Sequence, residues 1–337
     1  MTGPGRRRPG EGWSVDPAQF FAASRLVIVA GKGGVGKTTV TAALSRAAAL
    51  TGLSTLIIEV EGKSGLASVF GREPLSYDEV ELAPDGAPEG AADIRGRTLT
   101  PDDALLEYLR DHGLSRISKR LAKTGALDVV ATAAPGIKDI LILGKVKQLE
   151  RMDVADLIVL DAPAAGHAIT FLLAARALLD AVRVGPINTQ AREVLELLTD
   201  PARCQVMLVT LPEETPVNEL IDTAYHLEDR VGVSLGPVVV NGLYPDVGDL
   251  SVDPGAAAES AGTSLRAGEA EALAQAAAFR RSRTALQHSQ VARLAEKLPL
   301  PQLHLPYLFT ADLSPDDLDL LAHELLDGIT KLEEPRA

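Results

Sequence analysis

A glycine-rich loop that directly follows a short apolar strand constrains this chain more than any other feature. The apolar segment LVIVA at residues 26 to 30 leads into GKGGVGKTT at 31 to 39. The loop fits the pattern of a glycine, four residues, then Gly-Lys-Thr, and the apolar spacing after it predicts an amphipathic helix. Glycines let the backbone curl with its N–H groups toward an anion, and the helix dipole adds positive potential there. A strand, loop and helix in this order predict an α/β domain that binds phosphate groups.

The residue types in the loop predict what each one contributes. Lys37 is expected to reach the β- and γ-phosphates of a nucleotide, Thr38 to offer its hydroxyl to Mg²⁺, and Thr39 to lie near the α-phosphate. Backbone N–H groups supply the remaining phosphate contacts. The predicted nucleotide-binding set is Gly31, Lys32, Gly33, Gly34, Val35, Gly36, Lys37, Thr38 and Thr39.

The fold class follows from short apolar segments that alternate with helical patterns. The segments lie at residues 26 to 30, 54 to 60, 155 to 161, 205 to 210, 236 to 241 and 301 to 305. Segments this short, and rich in β-branched residues or leucine, are typical of buried parallel strands. Apolar residues between them recur at helical spacing. The prediction is an α/β P-loop NTPase fold, a mostly parallel sheet flanked by helices.

Charge and cysteine content exclude several classes of protein. The chain has 337 residues, a net charge of −13 and one cysteine, Cys204, which is expected to be a small core residue. A negative protein lacks the basic surface that nucleic acid and anionic lipid require, so no nucleic-acid partner is expected. One cysteine cannot form a disulfide or a CxxC zinc site within the chain, which predicts no zinc and fits the cytoplasm. No apolar run is long enough for an integral membrane span.

The predicted organisation is a single domain with two tails. Residues 1–20 are rich in Gly, Pro and Arg and are expected to be a disordered tail, with no apolar stretch that would make them a signal peptide. The ATPase domain is predicted over 21–331, with a flexible loop at about 246–268. A short tail is predicted at 332–337.

A second lysine in the loop narrows the class. Lys32 gives the sequence KGGVGKT, which resembles the deviant phosphate loop of the MinD, ParA, nitrogenase iron protein and ArsA ATPases. The resemblance implies ATP and Mg²⁺ as ligands, and a nucleotide-sandwich dimer in which Lys32 touches the partner's phosphates. One cysteine argues against the nitrogenase relatives, an acidic C-terminal segment against a MinD-like membrane helix, and the net charge against ParA-like DNA binding.

Four further segments resemble the ArsA family. LDAPAAGHAITFLL at 160 to 173 is similar to the family's second switch, with matches at Asp161, Gly166 and His167 and a proline displaced to Pro163. This implies that Asp161 is an outer-shell magnesium carboxylate. APGIKDILILGKV at 134 to 146 resembles a segment of the family's client-binding insert. The family's adenine contacts imply roles for Asn241, Pro306 and Tyr307. The resemblance covers about residues 24 to 330.

The first switch departs from the family pattern. Where the family has an aspartate that positions the attacking water, followed by proline, this chain has Glu61 and Gly62. Glutamate keeps the carboxylate but moves it about one methylene outward, so that it can still orient a water. The predicted catalytic residues are therefore Lys32, Lys37 and Glu61. Two alternatives stay open: Glu61 as a surface carboxylate without a catalytic part, and Glu59 in the same role.

Arsenite is not the expected substrate, because an arsenite site needs several cysteine thiolates. A helical insert is predicted at about 101–150, and its apolar positions fit either a client groove or ordinary core and dimer packing. The resulting hypothesis is a dimeric switch that couples Mg·ATP turnover to rearrangement of this insert around a client protein or membrane-protein segment. The dimer is a homodimer or a heterodimer with a paralogous ATPase. The alternatives are a regulatory or scaffold subunit with weak hydrolysis, and a ParA- or MinD-like positioning ATPase.

Overall fold

The fold is known from a computed structural model of the full chain. The structure describes residues 15–60, 65–82, 90–111, 113, 136–163 and 165–332, with the backbone alone at 165–167. Glu61 and Gly62 and most of the segment between 112 and 135 lie outside the described residues, as do residues 1–14 and 333–337 of the two predicted tails.

Eight strands form one sheet in the order β3-β4-β2-β5-β1-β6-β7-β8. All neighbouring strands are parallel except β3, which runs antiparallel to β4 at one edge. The strands are β1 (Leu26–Gly31), β2 (Thr55–Val60), β3 (Val80–Glu81), β4 (Ile94–Leu99), β5 (Leu157–Asp161), β6 (Cys204–Thr210), β7 (Val238–Leu243) and β8 (Gln302–Pro306).

Helices follow most strands. They are α1 (Pro17–Ala22), α2 (Lys37–Leu50), α3 (Gly65–Val69), α4 (Pro101–Asp111), α5 (Ile137–Arg151), α6 (Ala165–Ala181), α7 (Pro186–Thr199), α8 (Glu214–Arg230), α9 (Pro254–Ser260), α10 (Glu269–Lys297) and α11 (Pro315–Thr330). No helix in the described part of the chain is both long and apolar enough to cross a membrane.

Alternate residues of the strands feed two cores, one on each face of the sheet. Ile28 belongs to the core that includes α5, α6, α7 and α8, whereas its neighbour Val29 belongs to the core that includes α2 and α11. This alternation is what a strand buried on both faces requires, and it explains the continuous apolar runs in the sequence. The predicted α/β fold with a mostly parallel, helix-flanked sheet is confirmed.

The position of β1 determines where a ligand can bind. β1 pairs with β5 on one side and β6 on the other, although neither strand is next to it in the sequence. The strands from β2 to β5 lie on one side of β1, and those from β6 to β8 lie on the other. Open α/β sheets bind ligands beyond the carboxyl ends of the strands at such a switch point. The glycine-rich loop starts at this end of β1.

Three segments differ from their sequence-based predictions. β4 was not predicted, because Arg95 and Arg97 interrupt its apolar pattern. The segment expected to be a loop at 246–268 contains α9, which begins after Asp253 accepts a hydrogen bond from the backbone of Ala256. The predicted N-terminal tail contains most of α1, which follows the N-cap Asp16 and packs against the core.

Candidate functional site

Two glycines of the loop are fixed by close approach of other atoms. A Cβ on Gly31 would lie 2.4 Å from the carbonyl oxygen of Val209, and one on Gly36 would lie 2.3 Å from the Asn241 amide nitrogen. Gly36 also has a φ of 87°, a conformation that L side chains rarely adopt. The fold therefore requires glycine at both positions.

Both lysines of the loop make contacts within the chain. Lys37 is 8% exposed, and its Nζ donates to the backbone carbonyl of Lys32 at 3.1 Å. The Lys32 ammonium lies 2.6 Å from Oε1 of Glu219 on α8. The sequence predicts a phosphate role for both lysines but contains no sign that Glu219, far along the chain, lies beside Lys32.

A hydroxyl and a carboxylate meet beneath the loop. Thr38, in the first turn of α2, donates from Oγ1 to Oδ2 of Asp161 at 2.7 Å. Asp161 is the last residue of β5 and is 1% exposed. Hydroxyl and carboxylate oxygens are ligands that Mg²⁺ accepts, and Mg²⁺ often keeps waters between itself and a carboxylate. The donor chemistry thus fits magnesium beside a bound triphosphate.

A cavity of about 330 Å³ opens on the other side of the loop. Its wall includes Thr39, Asn241, Pro306 and Tyr307, three of which the sequence predicts as contacts of the nucleotide base. Asn241 donates from Nδ2 to the carbonyl of Val35 at 3.0 Å. Because that bond engages one amide hydrogen, it fixes the side chain and leaves its carbonyl oxygen as an acceptor for a ligand.

An aromatic cluster includes Tyr307, which lines this cavity. The rings of Tyr244, Tyr307 and Phe309 have centroids 4.8 to 5.8 Å apart, and the Arg280 guanidinium stacks 4.1 Å above Tyr244. Tyr307 was predicted in the site, but Tyr244, Phe309 and Arg280 were not. Aromatic residues at several separate positions carry no periodic signal in the sequence, and only the fold brings them together.

Polar side chains occupy aligned positions on three neighbouring strands, one of which ends in Asp161. Thr98 of β4, Glu59 of β2 and Asp161 of β5 are aligned in the register, so their side chains face the same layer as α2. Glu59 is 1% exposed, and its Oε2 accepts a 2.8 Å hydrogen bond from Thr98. Glu59 is thus a buried carboxylate of the sheet, while Glu61, its alternative for positioning water, lies outside the described residues.

The second switch is described only in part. Pro163 follows the end of β5, and Gly166 and His167 lie in the first turn of α6. Their backbone places the motif directly after Asp161, at the same end of the sheet as the loop. The contacts of the His167 side chain lie outside the described residues.

The predicted insert contributes α4 and α5, and α7 flanks them. A groove of about 370 Å³ between these helices is lined mainly by polar residues, with Leu141 and Met152 among them. Ion pairs lie on both sides of α5, Lys145 with Glu107 on α4 and Lys147 with Glu193 on α7. Burial opposes ionisation of Glu107, but hydrogen bonds from Lys145 and Tyr77 outweigh it and lower the pKa of its carboxyl.

Comparison with known proteins decides the family. The family model for anion-transporting ATPases matches residues 24–185. ATPase BagA of Mycobacterium tuberculosis is 34% identical over 241 residues, which is 69% of each chain. The chain belongs to the ArsA family of ATPases. This confirms the family that the loop and the second switch predict from the sequence.

Other ArsA-family proteins match more distantly. A putative arsenical pump-driving ATPase of Halobacterium salinarum is 27% identical over 245 residues, which is 67% of this chain and 37% of that protein. ATPase get3 of Schizosaccharomyces japonicus is 27% identical over 149 residues, 44% of this chain and 43% of that protein. The chain is thus similar to ATPases that are named for different functions.

Proposed function

We propose that this ArsA-family chain binds Mg·ATP in the loop after β1 and hydrolyses its terminal phosphoanhydride bond. The contact that carries the proposal is the hydrogen bond between Thr38 and Asp161, because it brings a hydroxyl and a buried carboxylate together under the phosphate loop. Magnesium, when bound by Thr38 and through water by Asp161, would neutralise charge on the β- and γ-phosphates.

The chain's own groups hold the triphosphate. In the proposed complex, backbone N–H groups of Gly33 to Lys37 donate to the phosphates, and the N-terminus of α2 adds its dipole. Lys37 exchanges the carbonyl of Lys32 for the β- and γ-phosphates. The base occupies the cavity beside Asn241, Pro306 and Tyr307, where the free amide oxygen of Asn241 accepts a hydrogen bond from an exocyclic amine. Adenine has such an amine, and the ATPases that match the chain support ATP as the nucleotide.

Glu61 orients the attacking water in this proposal. It comes two residues after Glu59 at the carboxyl end of β2, the strand beside β5 and Asp161. The carboxyl end of β2 is at the edge of the sheet where the phosphate loop begins, and Glu61 is the first residue after β2 in the sequence. Glu59 instead keeps its carboxylate inside the sheet, hydrogen bonded to Thr98.

The ATPase acts as a dimeric switch in the proposed cycle. Lys32 contacts the phosphates bound by a second subunit, which is another copy or a paralogous ATPase. The turnover of ATP rearranges α4 and α5, which lead from β4 and into β5, so that a client protein or a segment of a membrane protein is bound and released. The proposed compartment is the cytoplasm, where the thiol of Cys204, buried in the core, stays reduced.

Phosphate release from ATP tests the proposal. Purified wild-type chain should hydrolyse ATP with Mg²⁺ and stop when EDTA is added, and Glu61→Ala should reduce turnover while ATP binding persists. An exposed carboxylate on α6, Asp180, supplies the control variant Asp180→Asn, which should keep wild-type turnover. Turnover in the wild type no faster than in Glu61→Ala would make the chain a nucleotide-binding subunit without catalytic function.

A further inference from the structure

Lys32 is held by its own chain through a residue that neither the family pattern nor the loop motif includes. Its Nζ lies 2.6 Å from Oε1 of Glu219, which is 187 positions later in the sequence. Its backbone carbonyl also accepts a hydrogen bond from Lys37. In this arrangement the two lysines of the loop point to acceptors within one subunit.

We propose that Glu219 is a positioning residue that holds Lys32 against its own subunit until a second subunit arrives. Lys32 leaves Glu219 when it reaches the phosphate groups of the other subunit, so the ion pair opposes dimerisation. This inference rests on the proposed function, in which Lys32 acts across a dimer.

The helix that carries Glu219 makes it a fixed anchor. Glu219 lies in α8, whose buried residues Val217, Leu220 and Ala224 pack into the core. α8 follows β6, the direct neighbour of β1. The carboxylate is therefore attached to the rigid part of the domain, whereas Lys32 sits on a loop and has four rotatable side-chain bonds. When the contact breaks, it is Lys32 that moves.

The strength of the pair suits a reversible contact. The Lys32 side chain is 37% exposed and the Glu219 side chain 43%, so water screens the attraction. Exposed ion pairs of this kind change an equilibrium by about 1.5- to 5-fold. A triphosphate carries several negative charges against the single charge of Glu219, so it competes well for the lysine.

Nucleotide binding also weakens the contacts of Lys32 within its own subunit. Lys37 must turn from the carbonyl of Lys32 toward the phosphates when ATP binds, which removes one contact to the backbone of Lys32. The ion pair with Glu219 then remains as the contact that the second subunit has to replace. ATP and the second subunit therefore act in sequence on the same residue.

Sedimentation velocity of the full chain with Mg²⁺ and the non-hydrolysable analogue AMP-PNP tests the inference. Glu219→Gln keeps the side-chain size and removes the charge, and it should tighten the dimer by about 1.5- to 5-fold. Asp222→Asn, which removes an exposed carboxylate from the same helix, should leave the dimer unchanged. The gain from Glu219→Gln should shrink in about 1 M salt, where a purely structural effect would persist.

A double variant completes the design. Lys32→Ala should abolish nucleotide-dependent dimerisation, and Glu219→Gln should then bring no gain in the Lys32→Ala background. A dimer that is unchanged or weakened by Glu219→Gln, while the wild type dimerises with AMP-PNP, overturns the role of Glu219 and leaves the proposed function intact. If neither the wild type nor Glu219→Gln dimerises with AMP-PNP, both the dimeric switch and the role of Glu219 are rejected. If Glu219→Gln dimerises and the wild type does not, both are supported.

Discussion

Thr38 donates a 2.7 Å hydrogen bond to Asp161, and this contact joins the helix after the phosphate loop to the end of the neighbouring strand. The two residues are 123 positions apart, and the parallel pairing of β1 with β5 brings them together. In the proposed site, Thr38 supplies an oxygen to magnesium and Asp161 holds one of its waters.

The substitution Asp161→Asn should separate binding from turnover. Asparagine still accepts the hydrogen bond from Thr38 but loses the negative charge that holds a metal-bound water. Loss of an outer-shell partner costs about 10- to 100-fold in metal affinity or activity, so Mg-dependent turnover should fall by that factor. Phosphate release and the affinity for ATP in EDTA are the measurements. Equal losses of ATP affinity with and without Mg²⁺ would contradict a magnesium role.

Gly36→Ala should destabilise the loop more than Gly34→Ala. Both glycines have φ near 87°, so alanine costs about 1–2 kcal/mol at either position. Only at Gly36 does the new Cβ also meet the Asn241 amide nitrogen, at 2.3 Å, whereas nothing lies within 4 Å at Gly34. Urea unfolding should show the larger loss for Gly36→Ala, accompanied by weaker binding of ADP. Equal losses for the two variants would mean that the clash with Asn241 is relieved at no cost.

Asp319→Asn should loosen the packing of α11 on α2. Arg46 is 1% exposed, and its Nε and Nη2 donate to the Asp319 carboxylate at 2.5 and 3.2 Å. Without that charge the buried guanidinium lacks its counterion, but Asp319 is partly exposed and solvent screens the pair. The expected loss is about 1–2 kcal/mol in the free energy of unfolding. Asp327→Asn, an exposed position on the same helix, should change it by less than about 0.5 kcal/mol.

Ser54→Ala should reduce stability more at neutral pH than in acid. The backbone and hydroxyl of Ser54 both donate to the Asp156 carboxylate, and these bonds lower the pKa of that group. A lowered folded-state pKa stabilises the protein above the unfolded value of about 3.9, and the gain disappears as pH falls through the folded value. Urea unfolding from pH 7 to pH 3 should therefore show a constant difference between wild type and variant down to about pH 4, and a shrinking one below. A difference that grows in acid would contradict this assignment.

The sequence predicts the central strands and the phosphate loop well, because both depend on local patterns. β1, β2 and β5 are buried on both faces and therefore appear as short, mostly apolar runs, and the four glycines of the loop directly precede a helix. β4 escapes prediction because Arg97 is a buried position of the strand. Its guanidinium stacks on Tyr77 and lies 3.6 Å from the Glu79 carboxylate, contacts that no local pattern shows.

Contacts between distant segments account for the rest of what the sequence misses. Glu59 looks like a strand-end carboxylate, yet hydrogen bonding to Thr98 on the unpredicted β4 places it inside the sheet. In the sequence, Glu219 is one polar residue of an amphipathic helix, and only the structure shows that it lies beside Lys32. Such pairs depend on the strand order, which the local patterns in this sequence do not reveal.

Calorimetric titration of Lys37→Ala with Mg·ATP tests the central claim most directly, beside the control Lys138→Ala at an exposed position of α5. Lys37 is expected to contribute charge-assisted hydrogen bonds to the phosphates, so its loss should weaken ATP binding by about 10- to 100-fold. Lys138→Ala should bind as wild type does. Wild-type affinity in folded Lys37→Ala would contradict the assignment of the loop after β1 as the site of ATP.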